Sequence, residues 1–498
     1  MSPGTGVDVG SFDSVAALIR QQLLDHDIPS MAVAVARRGE VLWEDGFGWA
    51  NREERLPATA HTMYSLASIS KPITATALMV LVERGLVDLD RPINDYLGDA
   101  GLTARVGDAT EATVRRMANH TAGLPLHFHF FYEDEPYRRP PMDETIRRYG
   151  NLVWAPGERS QYSNLGYGIL DYVVSRVSGK SYEAFLREDV FLPLGMTRAA
   201  VGVPPYLAPF AAQRYGSDGV PYPFYDFDHP GGSAVFCSAH DLVRFGMVHL
   251  GQTPSDAQPI LSAASLAEMQ RPTACLEGGQ GYGVGWGSKQ RQDGPDTVSH
   301  SGGMGGVRTI LLLVPAEGVS IAILSNGGGP AYGDVGLTAI RALAVLAPDA
   351  GATLEQEWQE ALPALTATAD PEPTAELPSE LLGEWSGEVH TYVRATPLVL
   401  RFRDSGDVHA RLDTAPWSLV NTVTTKDGRL TGMFLGTIDT PDARRIRHDL
   451  HLDLTVRGDV LNGALIAITP FVPEGGAPGK RVGNALAHWT ELRRASQE

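Results

Sequence analysis

Cysteine is nearly absent: Cys237 and Cys275 are the only two in 498 residues. Two thiols so far apart exclude a disulfide framework, and no C-x-x-C pair or Cys/His cluster at ligand spacing suggests zinc. Lysine is scarce too, with five residues (Lys71, Lys180, Lys289, Lys426 and Lys480). The formal net charge of −18 argues against nucleic acid or an anionic membrane surface as a partner. No apolar run reaches the roughly 18 residues of a membrane span. The N-terminal Met-Ser-Pro-Gly-Thr-Gly-Val-Asp lacks the basic region and apolar core of a secretory signal. These absences predict a cytoplasmic protein that needs no metal and no cofactor.

What is present fits a globular enzyme. Hydrophobic residues make up 43% of the chain and charged residues 20%. The length exceeds one ordinary hydrophobic core, so more than one domain is expected. Residues 12–26 carry Val15, Leu18, Ile19 and Leu23 at helical spacing. Residues 31–37 and 40–49 read as strands joined at Arg38-Gly39, and 71–85 as a helix closed by Gly85. Two more helices are expected over 166–179 and 181–190, a hairpin over 307–314 and 319–325, and a last helix at about 334–347. Strands at both ends with a helical middle predict an α+β fold, in which one antiparallel sheet carries flanking helices and a helical subdomain.

The composition changes near residue 350. Prolines 363, 371, 373 and 378 among Ala, Thr, Glu and Asp read as a linker over 351–378, helical in part at 354–362. Beyond it the pattern is all β. Runs at 397–403, 407–413, 417–424, 429–437, 447–456 and 459–468 alternate, with turns at Ser405-Gly406, Asp427-Gly428 and Arg457-Gly458. With 488–492 as a closing strand, residues 379–498 predict a small antiparallel barrel behind a catalytic domain of residues 1–350. Gly383-Glu384-Trp385 is similar to the Gly-x-Trp of lipocalin-like barrels.

Ser68-Ile69-Ser70-Lys71 carries the chemistry. Ser-x-x-Lys at a helix start sets a hydroxyl and an amine one turn apart on the same face. A desolvated lysine can lose its proton near neutral pH and take one from the serine. Two further elements follow in order: Tyr162-Ser163-Asn164, and His300-Ser301-Gly302-Gly303 leading into the strand at 307. Isolated, each has a plain structural reading as helix start, turn or loop. Together they resemble the penicillin-recognising serine hydrolases, which include class C β-lactamases, D,D-peptidases, family VIII carboxylesterases and related acyltransferases. Further landmarks are Asn119–Pro125, Trp154-Ala155-Pro156-Gly157, Phe191–Met196 and Gly231-Gly232-Ser233-Ala234. The resemblance covers residues 10–347 and implies the β-lactamase/transpeptidase-like fold.

The resemblance also implies roles. Ser68 attacks a carbonyl and becomes acylated, and Lys71 and Tyr162 share general-base and general-acid duty. Asn164 holds Lys71 and a substrate oxygen. The N–H groups of Ser68 and Gly303 form the oxyanion hole, with Ser301, Gly302 and Gly303 along the substrate. His300 stands where β-lactamases usually carry lysine (Lys-Thr-Gly). It is expected to donate near the Tyr162 oxygen while at most partly charged at pH 7, which disfavours efficient β-lactamase activity.

The leading expectation is therefore a hydrolase of small esters or amides. The alternatives are a D-amino-acid peptidase or a penicillin-binding-protein-type thioesterase that cyclises a peptide, then a β-lactamase. A non-enzymatic scaffold holding an apolar ligand in the barrel stands against them all. The aromatic cluster at 127–132 is expected to form a wall or lid near the site, and that at 222–229 to line an apolar acyl pocket or to pack a long loop. The partner is a small ester, amide or peptide, with oligomeric state open.

Overall fold

A computed structural model describes residues 9–276, 280–327, 333–366, 377–443, 447–469 and 483–495. The chain forms two compact units. The first holds residues 9–90 and 167–366, and the second joins residues 91–166 to the C-terminal residues from 377 onward.

The first unit is built on a nine-stranded sheet in the order 274–275, 281–282, 287–289, 297–304, 307–314, 319–325, 30–37, 40–51 and 56–57. The two ends of the domain meet where Ser30–Arg37 pairs antiparallel with Val319–Ser325, Val33 opposite Ile323. Seven of the eight residues of Ser30–Arg37 are buried, because helices cover both faces of the strand. On one face the helices Asp13–Asp25 and Gly333–Leu346 bring Ile19, Ala339 and Leu343 into one core with Val33, Val35, Ile321 and Ile323. On the other lies Ala239–His249. A Cβ on its Gly246 would fall 2.2 Å from Ser320 Oγ, so only glycine allows the helix this close to the sheet. The α+β expectation and the hairpin Val307–Val314/Val319–Ser325 hold as read.

The segment read as a linker begins with a packed helix, Pro348–Thr366, which contains and extends the helical stretch expected at 354–362. Ala350 and Leu354 enter the sheet core, and Glu357 pairs with Lys289 and Arg291 at 2.9 and 2.8 Å. Ala, Leu and Glu favour helix more than Pro363, inside its last turn, opposes it, and Pro348 sits at the first position, where its missing N–H costs little. Residues 367–376 lie outside the described residues.

In the second unit the C-terminal residues form a nine-stranded antiparallel sheet that nearly closes into a barrel. Its edge strands, Ser418–Leu419 and Asn421–Lys426, are consecutive in the chain. Gly383 takes φ +110°, in the region open to glycine, and Trp385 two residues on is fully buried with its indole N–H on Leu381 O at 2.8 Å. Strand Ala395–Phe402 alternates, with Leu398, Leu400 and Phe402 buried. Alternation fails in Val460–Ile468 and Ala485–Arg494, which are buried on nearly every residue. Their outer face is covered by residues 106–154: Val153 and Trp154 share a core with Ala464, Ile466, Ala485, Ala487 and Trp489. Phe128 and Ala485 exchange backbone hydrogen bonds at 3.0 and 2.9 Å. The cluster at 127–132 is thus, in part, a seam to the barrel.

Three buried histidines set a pH response. Burial pushes His249 and His300 down to about 3 and His488 down to about 4. Below pH ~6.5 the unfolded chain takes up protons at these positions and the folded chain does not, so stability falls with acidification. Each contributes up to about 1.4 kcal/mol per pH unit between about 6.5 and its folded value. A Tm that drops steeply from pH 6.5 to 4.5 is the expected outcome in a melting series, and a flat profile would count against it.

Candidate active site

Ser68 lies in a short 3-10 turn, Ala67–Ile69, that runs into the helix Ser70–Glu83. Its neighbours are buried and Ser68 itself is partly exposed. Ala67 takes φ +47°, a left-handed conformation that costs a non-glycine residue about 1 kcal/mol or more. The helix start is pinned from outside, since Val235 N–H donates to Ser70 Oγ at 3.0 Å and Thr74 Oγ–H to Gly231 O at 2.6 Å.

Lys71, in the first helical turn, is fully buried. Its Nζ is 3.1 Å from Ser68 Oγ and donates to Gly232 O at 3.0 Å. Burial holds its pKa well below the ordinary lysine value. A neutral amine keeps one lone pair, and at 3.1 Å the Ser68 hydroxyl is within reach of it. The Gly231-Gly232 landmark supplies this carbonyl. A Cβ on Gly231 would press on Tyr167 O at 2.6 Å and on the Asp171 side chain.

Strand Thr297–Met304 brings His300–Gly303 against the same turn. A Cβ on Gly302 would lie 2.1 Å from Leu66 O and 3.1 Å from Ser68 N, which makes glycine obligatory there. Thr309 Oγ–H donates to Leu66 O at 2.9 Å and holds the contact. Gly287–Lys289 pairs with this strand only at Thr297–Ser299. Among the described residues, then, no strand pairs with 300–304 on the side away from Val307–Val314.

His300 differs from expectation. Its Nδ1 is 2.8 Å from Ser301 O. A carbonyl only accepts, so Nδ1 carries the proton. Nε2 then accepts from Tyr282 O–H at 2.9 Å. Burial, and next the nearby Lys71, push His300 down to about 3, so it is neutral at pH 7 and has no further proton to donate. Sequence reasoning missed Tyr282 because only the folded sheet brings it to His300.

Tyr162 and Asn164 belong to the second unit, Asn164 opening the helix Asn164–Ser178. His120 grips this segment: its ring packs at a tilt of 36° against Tyr162 with centroids 4.4 Å apart, its carbonyl accepts from Gln161 N–H at 2.8 Å, and its Nδ1 accepts from Ser163 N–H at 3.2 Å. His120 has φ +66°, a second non-glycine residue held in a rare conformation. The landmarks build its bed: Gly157 N–H donates to Thr121 O at 2.7 Å, and a Cβ on Gly123 would meet Trp154 O at 2.2 Å.

Residues 15–345 match the family described as Beta-lactamase. The chain belongs to that family. It is a serine hydrolase by that membership. Penicillin-binding protein 4 of Amycolatopsis lactamdurans is 31% identical over 325 residues, 61% of this chain and 82% of that protein. Esterase EstB of Burkholderia gladioli is 33% identical over 194 residues, 36% of this chain and 49% of its own. A crystal structure of SurE with D-Leu covers 98% of this chain and 100% of that one, with a TM-score of 0.59 at 20% identity. That likeness in fold includes the barrel.

Not every aromatic of this β-lactamase-family chain lines a site. Tyr222, Tyr225 and Phe227 are buried edge to face at 6.3 and 5.6 Å. Tyr225 O–H donates to Gly305 O at 2.5 Å, and the Arg214 guanidinium lies 3.4 Å over its ring. These residues brace the 302–306 turn. Phe224 is the exposed member.

Proposed function

We propose that the protein is a hydrolase and acyltransferase that works through an acyl-enzyme on Ser68, acting on esters or amides of small acyl or peptide substrates. The observation that carries this reading is the fully buried Lys71 amine, its pKa held well below the ordinary lysine value by desolvation, 3.1 Å from a partly exposed Ser68 hydroxyl. In the first step Ser68 Oγ bonds the carbonyl carbon as its proton passes to Lys71. The tetrahedral oxyanion is held by backbone N–H groups of Ser68 and Gly303. The carbon–oxygen or carbon–nitrogen bond then breaks, and the proton leaves with the alcohol or amine. Water or an amine reverses the sequence. Tyr162 shares the proton transfers, and Asn164 and Ser301 orient the substrate.

Two observations favour a peptidic acyl donor. The edge of 300–304 that faces away from Val307–Val314, unpaired among the described residues, offers backbone groups to an extended chain lying beside Gly302. The whole-length likeness to SurE with D-Leu points the same way. The neutral His300 weighs against a β-lactamase, since it supplies no cation for the β-lactam carboxylate. The intact Ser68–Lys71 pair weighs against an inactive scaffold. Two free thiols, Cys237 and Cys275, accord with a cytoplasmic setting, and no helix among the described residues is long and apolar enough to cross a membrane.

Intact-mass spectrometry during turnover of a p-nitrophenyl acyl ester tests the proposal. The expected result is one acyl adduct per chain, mapped to the peptide containing Ser68. Turnover with the adduct on another residue would refute it. Adding a peptide amine then separates hydrolysis from acyl transfer, as a cyclase-like enzyme diverts the adduct to amide product.

A further inference from the structure

The short strand pair Met63–Ser65 and Val235–Ser238 has two ends. One leads to Ser68 and the Gly231-Gly232 turn. The other leads to His61 and His240, where Glu44 from strand Glu40–Asn51 joins them. We propose that Glu44, His61 and His240 form a binding site for one divalent transition-metal ion of the Zn2+ class, separate from the candidate active site.

Geometry and chemistry support this together. One ligand atom from each residue lies within 4.8 Å of the others. His240 Nδ1 is 2.6 Å from one Glu44 oxygen, and His61 Nε2 is 3.6 Å from the other. Around a tetrahedral Zn2+ with bonds of about 2.0–2.1 Å, ligand atoms sit roughly 3.3 Å apart. The histidine–carboxylate separations are therefore within about 1 Å of a closed site. Two imidazoles and one carboxylate suit Zn2+, Co2+ or Ni2+ far better than Mg2+ or Ca2+.

The backbone under the three side chains is fixed. His240 N–H donates to Ala60 O at 3.1 Å, which ties the two histidine-bearing segments together. Glu44 sits within a strand paired to Ser30–Arg37. The His61 side chain is 56% exposed and its ring lies 4.7 Å from that of His240, so only that one ring contact limits its rotation toward Glu44. Both imidazoles line a cavity of about 540 Å³ in the first unit, with Thr59, Thr62, Arg198 and Phe210. Coordination positions not filled by protein face that cavity and take water or a small ligand. The plain alternative is a Glu44–His240 ion pair with His61 as a bystander.

The test uses the full chain without an affinity tag, stripped of metal with a chelator. Co2+ is titrated while visible absorption is followed, and Zn2+ then displaces it. The expected result is one equivalent of Co2+ with a ligand-field spectrum, and a Tm raised by Zn2+. His61→Ala should weaken binding by more than roughly tenfold, the loss that even outer-shell partners of a metal cause, and should erase the Tm rise. His61→Gln serves as a second variant should His61→Ala misfold. No spectrum with Co2+ in large excess, or unchanged affinity in a folded His61 variant, overturns the proposal. So does a spectrum lost in Cys275→Ser and kept in His61→Ala.

Discussion

Ser68→Ala and Lys71→Met are each expected to lower kcat/KM for a p-nitrophenyl acyl ester by roughly 10³- to 10⁴-fold or more. The double variant should fall no further than Ser68→Ala alone. The two residues act as one unit: the hydroxyl is a weak nucleophile without a base, and the base has nothing to activate without the hydroxyl. The 3.1 Å separation and the burial of Lys71 make that pairing direct. Lys71→Arg should be as damaging as Lys71→Met, because a guanidinium stays charged and offers no lone pair. Steady-state kinetics on the four variants checks this. Additive losses in the double variant would mean that Ser68 and Lys71 act independently.

Stability should move differently. Lys71 is fully buried with its pKa held well below the usual value by desolvation. The unfolded chain therefore binds a proton there that the folded chain does not, at every pH between the folded value and about 10.5. Wild-type stability rises with pH across that window, and Lys71→Met removes this contribution. An apolar side chain of similar length is also cheaper to bury, although Gly232 O loses its donor. Activity collapses in this variant while Tm stays level or rises, the pattern expected where a functional group is held at a cost to the fold.

The parts of the fold that were legible in the sequence are those with local periodicity. The strands Val307–Val314 and Val319–Ser325 are apolar runs bounded by turns, and Ser68, Lys71, Tyr162 and His300 stood out through their ordered motifs. What was not legible depends on contacts distant in the chain. Strand Gly383–His390 buries only Trp385 and Val389, too little for an alternation signal beyond Gly-x-Trp. His300 is neutral because the sheet buries it and sets it near Lys71; its residue type alone suggests partial charge. The left-handed backbone at Ala67 and His120 leaves no mark in residues that are not glycine. Glu44, His61 and His240 share no spacing, so the search for metal ligands by sequence proximity passed over them. The barrel shows the gap most clearly: its strands were readable one by one, and its attachment to residues 91–166 was not.

That attachment yields the second large effect. A chain ending at residue 366 is expected to lose the folded state of residues 91–166 while keeping the sheet around Ser30–Arg37. Removal of the barrel uncovers Val153 and Trp154, both fully buried, together with the partly buried Val106, Leu126 and Phe128. At roughly 1.5–3 kcal/mol for each large apolar side chain, the loss is on the order of 10 kcal/mol, comparable with the whole stability of a domain. Polar contacts go as well. Arg159, whose guanidinium stacks 3.3 Å over Trp154, loses Asp453 at 2.8 Å, and Tyr149 loses Asp442. The Trp154–Gly157 turn then no longer supports the segment from Thr121 to Tyr162, so the phenol proposed to share proton transfer is no longer positioned. Hydrogen exchange read by mass spectrometry should show protection retained in 30–37 and 319–325 and lost around 114–118 and 151–154, with kcat falling alongside. A point variant gives the graded form: Asp453→Ala leaves Arg159 without this carboxylate at a cost on the order of 3 kcal/mol, and should lower kcat more than KM. Native protection at 151–154 in the truncated chain would show instead that the barrel is an appendage to a catalytic domain that folds without it.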